Sequence, residues 1–188
     1  MLLVSLYSLI ILAILLGAQI WRPQFLLQLA EYSFWLSVFF IFFVSSYLTL
    51  QQYQIWLTSP LAQLLLPPHQ PIGYFIQYSI TRFWTGPMIA FAMALIALVA
   101  AKLLNKKFQE RFFWPAEPWL FATGLLLAGH PGWMYYTAAL FAVAILWQLL
   151  FVITGKSGHE RVSTYYLWLP VAILTILINT WFRFPPSS

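Results

Sequence analysis

The sequence predicts an all-α, polytopic integral membrane protein, and three observations carry that prediction. Of its 188 residues 62% are apolar and 20% aromatic, while only 7% are charged. A soluble domain carries about 25% charged residues, so this chain cannot cover a globule with charge. The apolar residues fall in long runs, and about 20 of them in helix cross a bilayer. Lastly, the few charges gather between the runs rather than within them. A soluble enzyme, a disordered tail and a nucleic-acid module are excluded by this composition, and the net charge of +5 points to no nucleic acid.

The first span is expected at residues 1–20 and stops at Arg22-Pro23. It lacks the basic start of a signal peptide, and its apolar run is long enough to be retained as a span. The second is expected at residues 32–50, ending at Gln51-Gln52. Residues 53–84 read as an interfacial or re-entrant segment, with prolines at 67, 68 and 71 and an apolar stretch that carries Arg82. Thr85-Gly86-Pro87 is expected to interrupt or kink that stretch. The third span follows at residues 85–104. Gly86, Ala90, Ala94, Ala97 and Ala101 share one face of it, where another helix backbone can approach closely.

The fourth span is the shortest. Residues 119–129 alone are too few, and only residues 112–129 reach span length; a re-entrant segment is the alternative. The fifth runs over residues 131–154, opened by Pro131 and stopped by Gly155. The sixth covers residues 162–182. With six crossings, one transmembrane domain fills residues 1–188. Arg22, Lys102, Lys106, Lys107, Arg111, Lys156 and Arg161, seven of the nine basic residues, then share one side. The positive-inside rule makes that side cytoplasmic and puts both termini outside.

Groups for chemistry are scarce. There is no cysteine and no aspartate, and the carboxylates are Glu31, Glu110, Glu117 and Glu160. No metal site or cofactor motif is expected, and no ionisable pair lies deep in a span, which argues against a pump. Arg82 reads either as a cation reaching headgroup phosphate or as an anion clamp for a lipid phosphate. His130 opens the fifth span beside Trp133, Tyr135 and Tyr136, either as part of an aromatic belt or facing a headgroup site. His69 and the group Lys156, His159, Glu160 and Arg161 read as solvated loops. Arg183 reads as a headgroup anchor, and Asn179 as a helix contact or cavity-lining group.

The run His130-Pro131-Gly132-Trp133-Met134-Tyr135 resembles the H-P-T-Q-L-Y run of the prolipoprotein diacylglyceryl transferase family. Val162-Ser163-Thr164-Tyr165-Tyr166-Leu167 is similar to the V-F-A-L-Y-L that opens that family's last helix. Glu117-Pro118-Trp119-Leu120-Phe121-Ala122 stands where the family has a D-A-x-A-P-like helix start. These enzymes move a diacylglyceryl group from phosphatidylglycerol to a lipoprotein cysteine. The resemblance implies an inner-membrane protein of bacterial type that handles phospholipid, phosphatidylglycerol first, at the outer leaflet. It carries over His130, Pro131 and Tyr135 only. Several departures stand against a working catalytic set. Thr85-Gly86-Pro87 lacks the histidine of the family's H-G-G, and Tyr136 replaces the glutamate that follows Tyr135. The Arg- and Asn-bearing loop before the H-P run is missing, because Gly129 meets His130 directly. Leu174 and Ile178 stand where the last helix carries Arg and Glu. The expectation is therefore a shortened, divergent relative, transferase-like if it is an enzyme at all. In it Arg82 would hold phosphate while His130, Tyr135 and Tyr136 face the headgroup. The rival expectation is a non-enzymatic module, a small-solute transporter component or an accessory subunit docked through the small-residue face.

Overall fold

The computed structural model describes residues 2–109, 113–153 and 164–183. Among them every regular element is helical: α1 Leu2–Trp21, α2 Leu26–Thr58, α3 Ile72–Ser79, α4 Thr85–Lys107, α5 Glu117–Ala128, α6 Gly132–Ile153 and α7 Trp168–Arg183. Short 3-10 turns at Pro23–Phe25, Ala62–Leu65 and Thr164–Tyr166 lie between them.

Four apolar helical runs are long enough to cross a membrane: Leu3–Trp21, Pro23–Thr58, Ile72–Lys107 and Gly132–Leu150. Glu117–Ala128 and Trp168–Thr180 are apolar but shorter. Exposed leucines, isoleucines and phenylalanines cover the outside of α1, α2 and α6, a surface that suits lipid and not water. The segments expected as the first, second, third and fifth spans overlap the long runs, and those expected as the fourth and sixth overlap the short ones, which are not long enough to cross by themselves. Glu110, Arg111, Phe112, Thr154, Gly155, Lys156, His159, Glu160, Arg161, Val162 and Ser163, which the sequence reading used, lie outside the described residues.

The segment 53–84 is more helical than its prolines suggest. Residues 53–58 complete α2, and α3 is continuous with α4 through a π turn at Ile80–Trp84. Pro87 explains the turn. Proline has no N–H for the carbonyl four residues back, and its ring crowds that carbonyl. The helix answers by widening: the Thr85 N–H donates to the Ile80 carbonyl, five residues back, and the Thr85 hydroxyl reaches the same oxygen at 3.0 Å. The interruption expected at Thr85-Gly86-Pro87 is thus a bulge just upstream of it.

The bundle is organised round α5. Helices α1, α2, α4, α6 and α7 all contact it, α4 most extensively. Every residue of α5 except Phe121 is buried. A helix apolar on all sides belongs at the axis of a bundle. Pro118 in its first turn starts it, and Gly129 ends it at φ +67, a backbone state that side chains disfavour. Its 12 residues rise only about 18 Å.

The neighbours offer α5 small or slender faces. On α2 the buried stripe is Leu26, Ala30, Ser33, Phe34, Ser37, Ile41 and Ser45, the spacing of one helix face. The Ser37 and Ser45 hydroxyls donate to carbonyls four residues back, at 2.7 and 3.0 Å, so no donor is stranded. On α4, Ala90, Ala94, Leu98 and Ala101 are buried and Ala97 packs against the same core. The small-residue face therefore serves an internal contact. Gly86 lies beyond it, since a methyl group there would meet nothing within 4 Å. A second, separate cluster of Trp56, Leu66 and Phe75 sits where α2 ends and α3 begins.

Candidate functional site

Arg82 lies in the π turn and is exposed. It borders a shallow groove of about 420 Å³ with Tyr74, Gln77, Tyr78 and Thr81. These positions recur at three and four residues, so α3 and the widened turn present them on one face. Trp56 braces the two tyrosines from behind, its ring 6.2 Å from that of Tyr74 and 5.0 Å from that of Tyr78. The lining holds a guanidinium, two phenols and a carboxamide, and no carboxylate. Such a set suits an anionic oxygen group, because guanidinium matches phosphate oxygens in bidentate fashion.

The depth of each candidate follows from the helix register. Twenty residues separate Arg82 from Lys102 and none between them is charged. That is about 30 Å of helix, the thickness of a hydrocarbon core. The Lys102 ammonium sits 3.9 Å from the centre of the Trp119 ring. The first turn of α5 is therefore level with Lys102, at the end of the bundle away from Arg82. Ala128, nine residues after Trp119 in the same helix, stands about 14 Å closer to Arg82.

Ala128 therefore falls roughly 16 Å short of the Arg82 level. Side-chain contacts agree. The Ser8 hydroxyl lies 3.5 Å from the Leu127 carbonyl, and the Tyr7 ring stacks on Phe40 at 3.9 Å. The Trp84 indole instead donates to Thr49, at 3.1 Å, nine residues further along α2.

The structure thus does not bring Arg82 and His130 together. His130 is exposed, and its Nδ1 accepts a hydrogen bond from the Trp133 indole at 3.2 Å. Tyr135 is exposed as well. Tyr136 is fully buried: its hydroxyl donates to the Trp168 carbonyl at 3.2 Å, and its ring stands against Gly124. Adjacent helical residues diverge by about 100°, so Tyr135 and Tyr136 cannot share a face. The Asn179 amide packs against Gly132. His69 is exposed in its turn.

Further polar groups, to which the sequence pattern gives no role, gather at the Lys102 end. Glu117 is 1% exposed, and its carboxylate accepts the Trp114 N–H at 2.9 Å. Gln19, 2% exposed, donates to the Tyr165 carbonyl at 2.5 Å. Asn105 brackets Phe113, donating to its carbonyl at 2.9 Å and accepting its N–H at 3.1 Å. Burial, then Tyr166, then the Glu117 carboxylate raise the Tyr165 phenol above its ordinary range. These groups tie the ends of α1, α4, α5 and α7. A glutamate followed by proline at a helix start was the legible signal for Glu117. Among the described residues no group of three His, Asp or Glu side chains could hold a metal ion. No protein family, curated protein or solved structure matches the chain.

Proposed function

We propose that the protein holds a phospholipid at the outer leaflet, with Arg82 on the lipid phosphate and Tyr74 and Tyr78 at the headgroup. The observation that carries this reading is a lone arginine in a groove of donors, one hydrocarbon thickness from Lys102. Lys102, Lys106 and Lys107 end α4 at the opposite face, which the positive-inside rule assigns to the cytoplasm. Arg82 then faces outward, as do the start of α1 and the end of α7. Phosphatidylglycerol is the first candidate, because the transferase family that the His130–Tyr135 run resembles draws on it. The role is binding and presentation of lipid, with diacylglyceryl transfer the further possibility that the resemblance raises.

The test is lipid retention. Purified protein, stripped and re-incubated with phosphatidylglycerol, is weighed intact by native mass spectrometry. Arg82→Ala should lower the retained phosphatidylglycerol at least about tenfold, the effect of one charge-assisted hydrogen bond. Unchanged retention sinks the reading. The rival is a non-enzymatic module, a small-solute transporter component or an accessory subunit that would dock through the small-residue face of α4. That face is covered by α5 of the same chain, and co-purification of a stoichiometric membrane partner would favour the rival.

A further inference from the structure

We infer that the Arg82 groove selects a phosphate ester whose head is an uncharged, polyhydroxylated ring, a sugar or cyclic polyol larger than glycerol. The inference rests on the lipid reading above and specifies the head that the groove takes.

What fills the groove follows from its direction. Arg82 stands at the outer limit of the hydrocarbon core, one core thickness from Lys102. Tyr78 lies four residues before it and Tyr74 eight, so the lining climbs outward along α3 by about 6 and then about 12 Å. The groove therefore leaves the bilayer instead of entering it. With the phosphate on Arg82 it receives the head and not the acyl chains. The three carbons of a glycerol span less than one helical turn and end near the Tyr78 level. Only a longer head reaches Tyr74. The groove volume of about 420 Å³ falls within the range that holds ligands larger than glycerol.

The wall suits a ring that carries hydroxyls. Tyr74 is 47% exposed and Tyr78 36%, while Trp56 behind them is 7% exposed. Stacked on Trp56 at an interplanar angle of 29°, the Tyr74 ring is held as a platform. An aromatic face takes the C–H side of a sugar ring, and the phenols and the Gln77 carboxamide meet its hydroxyls as donors and acceptors. Charge points the same way. No Asp or Glu occurs between Glu31 and Glu110, and no Lys or Arg between Arg22 and Arg82. A cationic head would face the Arg82 guanidinium with no carboxylate beside it, and a second anionic group would find no second cation in the lining.

Native mass spectrometry of the stripped protein tests the head. Phosphatidylinositol, phosphatidylglycerol and phosphatidylethanolamine with the same acyl chains are offered in equal amounts. Phosphatidylinositol should be retained at least about fivefold over each of the others, the effect of one further hydrogen bond. Tyr74→Ala should bring phosphatidylinositol down to the phosphatidylglycerol level, while Tyr74→Phe, which keeps the ring, should keep most of the preference. Equal retention of the three lipids, or a preference that survives both Tyr74→Ala and Gln77→Ala, overturns the inference. Soluble inositol phosphate at the lipid's concentration should displace none of it; displacement would assign the groove to free sugar phosphates and overturn the lipid source. Arg82→Ala separates the two readings. Unchanged retention of every lipid sinks the phosphate site itself, whereas a fall in all three from a parent without preference sinks only the head.

Discussion

Gly124 is where the Tyr136 ring of α6 lies against the backbone of α5. A methyl group added there would stand 2.6 Å from the Tyr136 hydroxyl, 2.7 Å from its ring carbon, and the ring is fully buried. Gly124→Ala should therefore lower stability by about 1–3 kcal/mol, the usual cost of overpacking. Tyr136→Phe keeps the ring and loses only the bond to the Trp168 carbonyl, for about 1 kcal/mol. Reversible denaturation in mixed micelles measures both, and the order of the two effects is the check. Tyr136 reads in sequence as one more aromatic of an interfacial belt beside Tyr135. Composition cannot separate them, because the difference is one of helix phase, and phase is fixed by what packs against α6.

At the scale of elements, the bulge at Ile80–Trp84 sets the direction of Arg82. A π turn holds one residue more than the α turn it replaces. Pro87→Ala restores an N–H for the Phe83 carbonyl and removes the reason for the bulge. Relaxation to a regular helix turns everything upstream by about 100° about the axis. We expect Pro87→Ala to lose phosphatidylglycerol retention while the bundle melts as before. Retention equal to the parent protein would show that the bulge does not orient the groove.

The long helices were legible in sequence because their apolar runs are unbroken. Thr85-Gly86-Pro87 was legible as a disturbance, but not its form, since a proline specifies which hydrogen bond is lost and not how the helix compensates. The short α5 was half legible. Its length was plain, yet its place at the axis depends on the faces that five other helices turn toward it. Ser33, Ser37 and Ser45 on α2 gave little warning of this, since serine suits surface and close contact alike.

The molecule as a whole has two ends of different chemistry. One carries Lys102, Lys106 and Lys107, and the other carries Arg82 in an aromatic setting. Gln109→Cys and Arg82→Cys should therefore label with a membrane-impermeant thiosulfonate from opposite sides of the membrane, the Gln109 site from the cytoplasm of intact cells. Labelling of both from one side would refute the reading that α4 crosses.

Two ends also mean two cores. Trp56, Leu66 and Phe75 form a cluster apart from the one that wraps α5. Nothing buried links them along α2 between Ser45 and Trp56. Cooperative units in proteins follow such clusters. The amides of Ile72–Ser79 should exchange with deuterium through a local opening that leaves Glu117–Ala128 protected. The tip can then melt and re-form round a guest while the bundle stays closed.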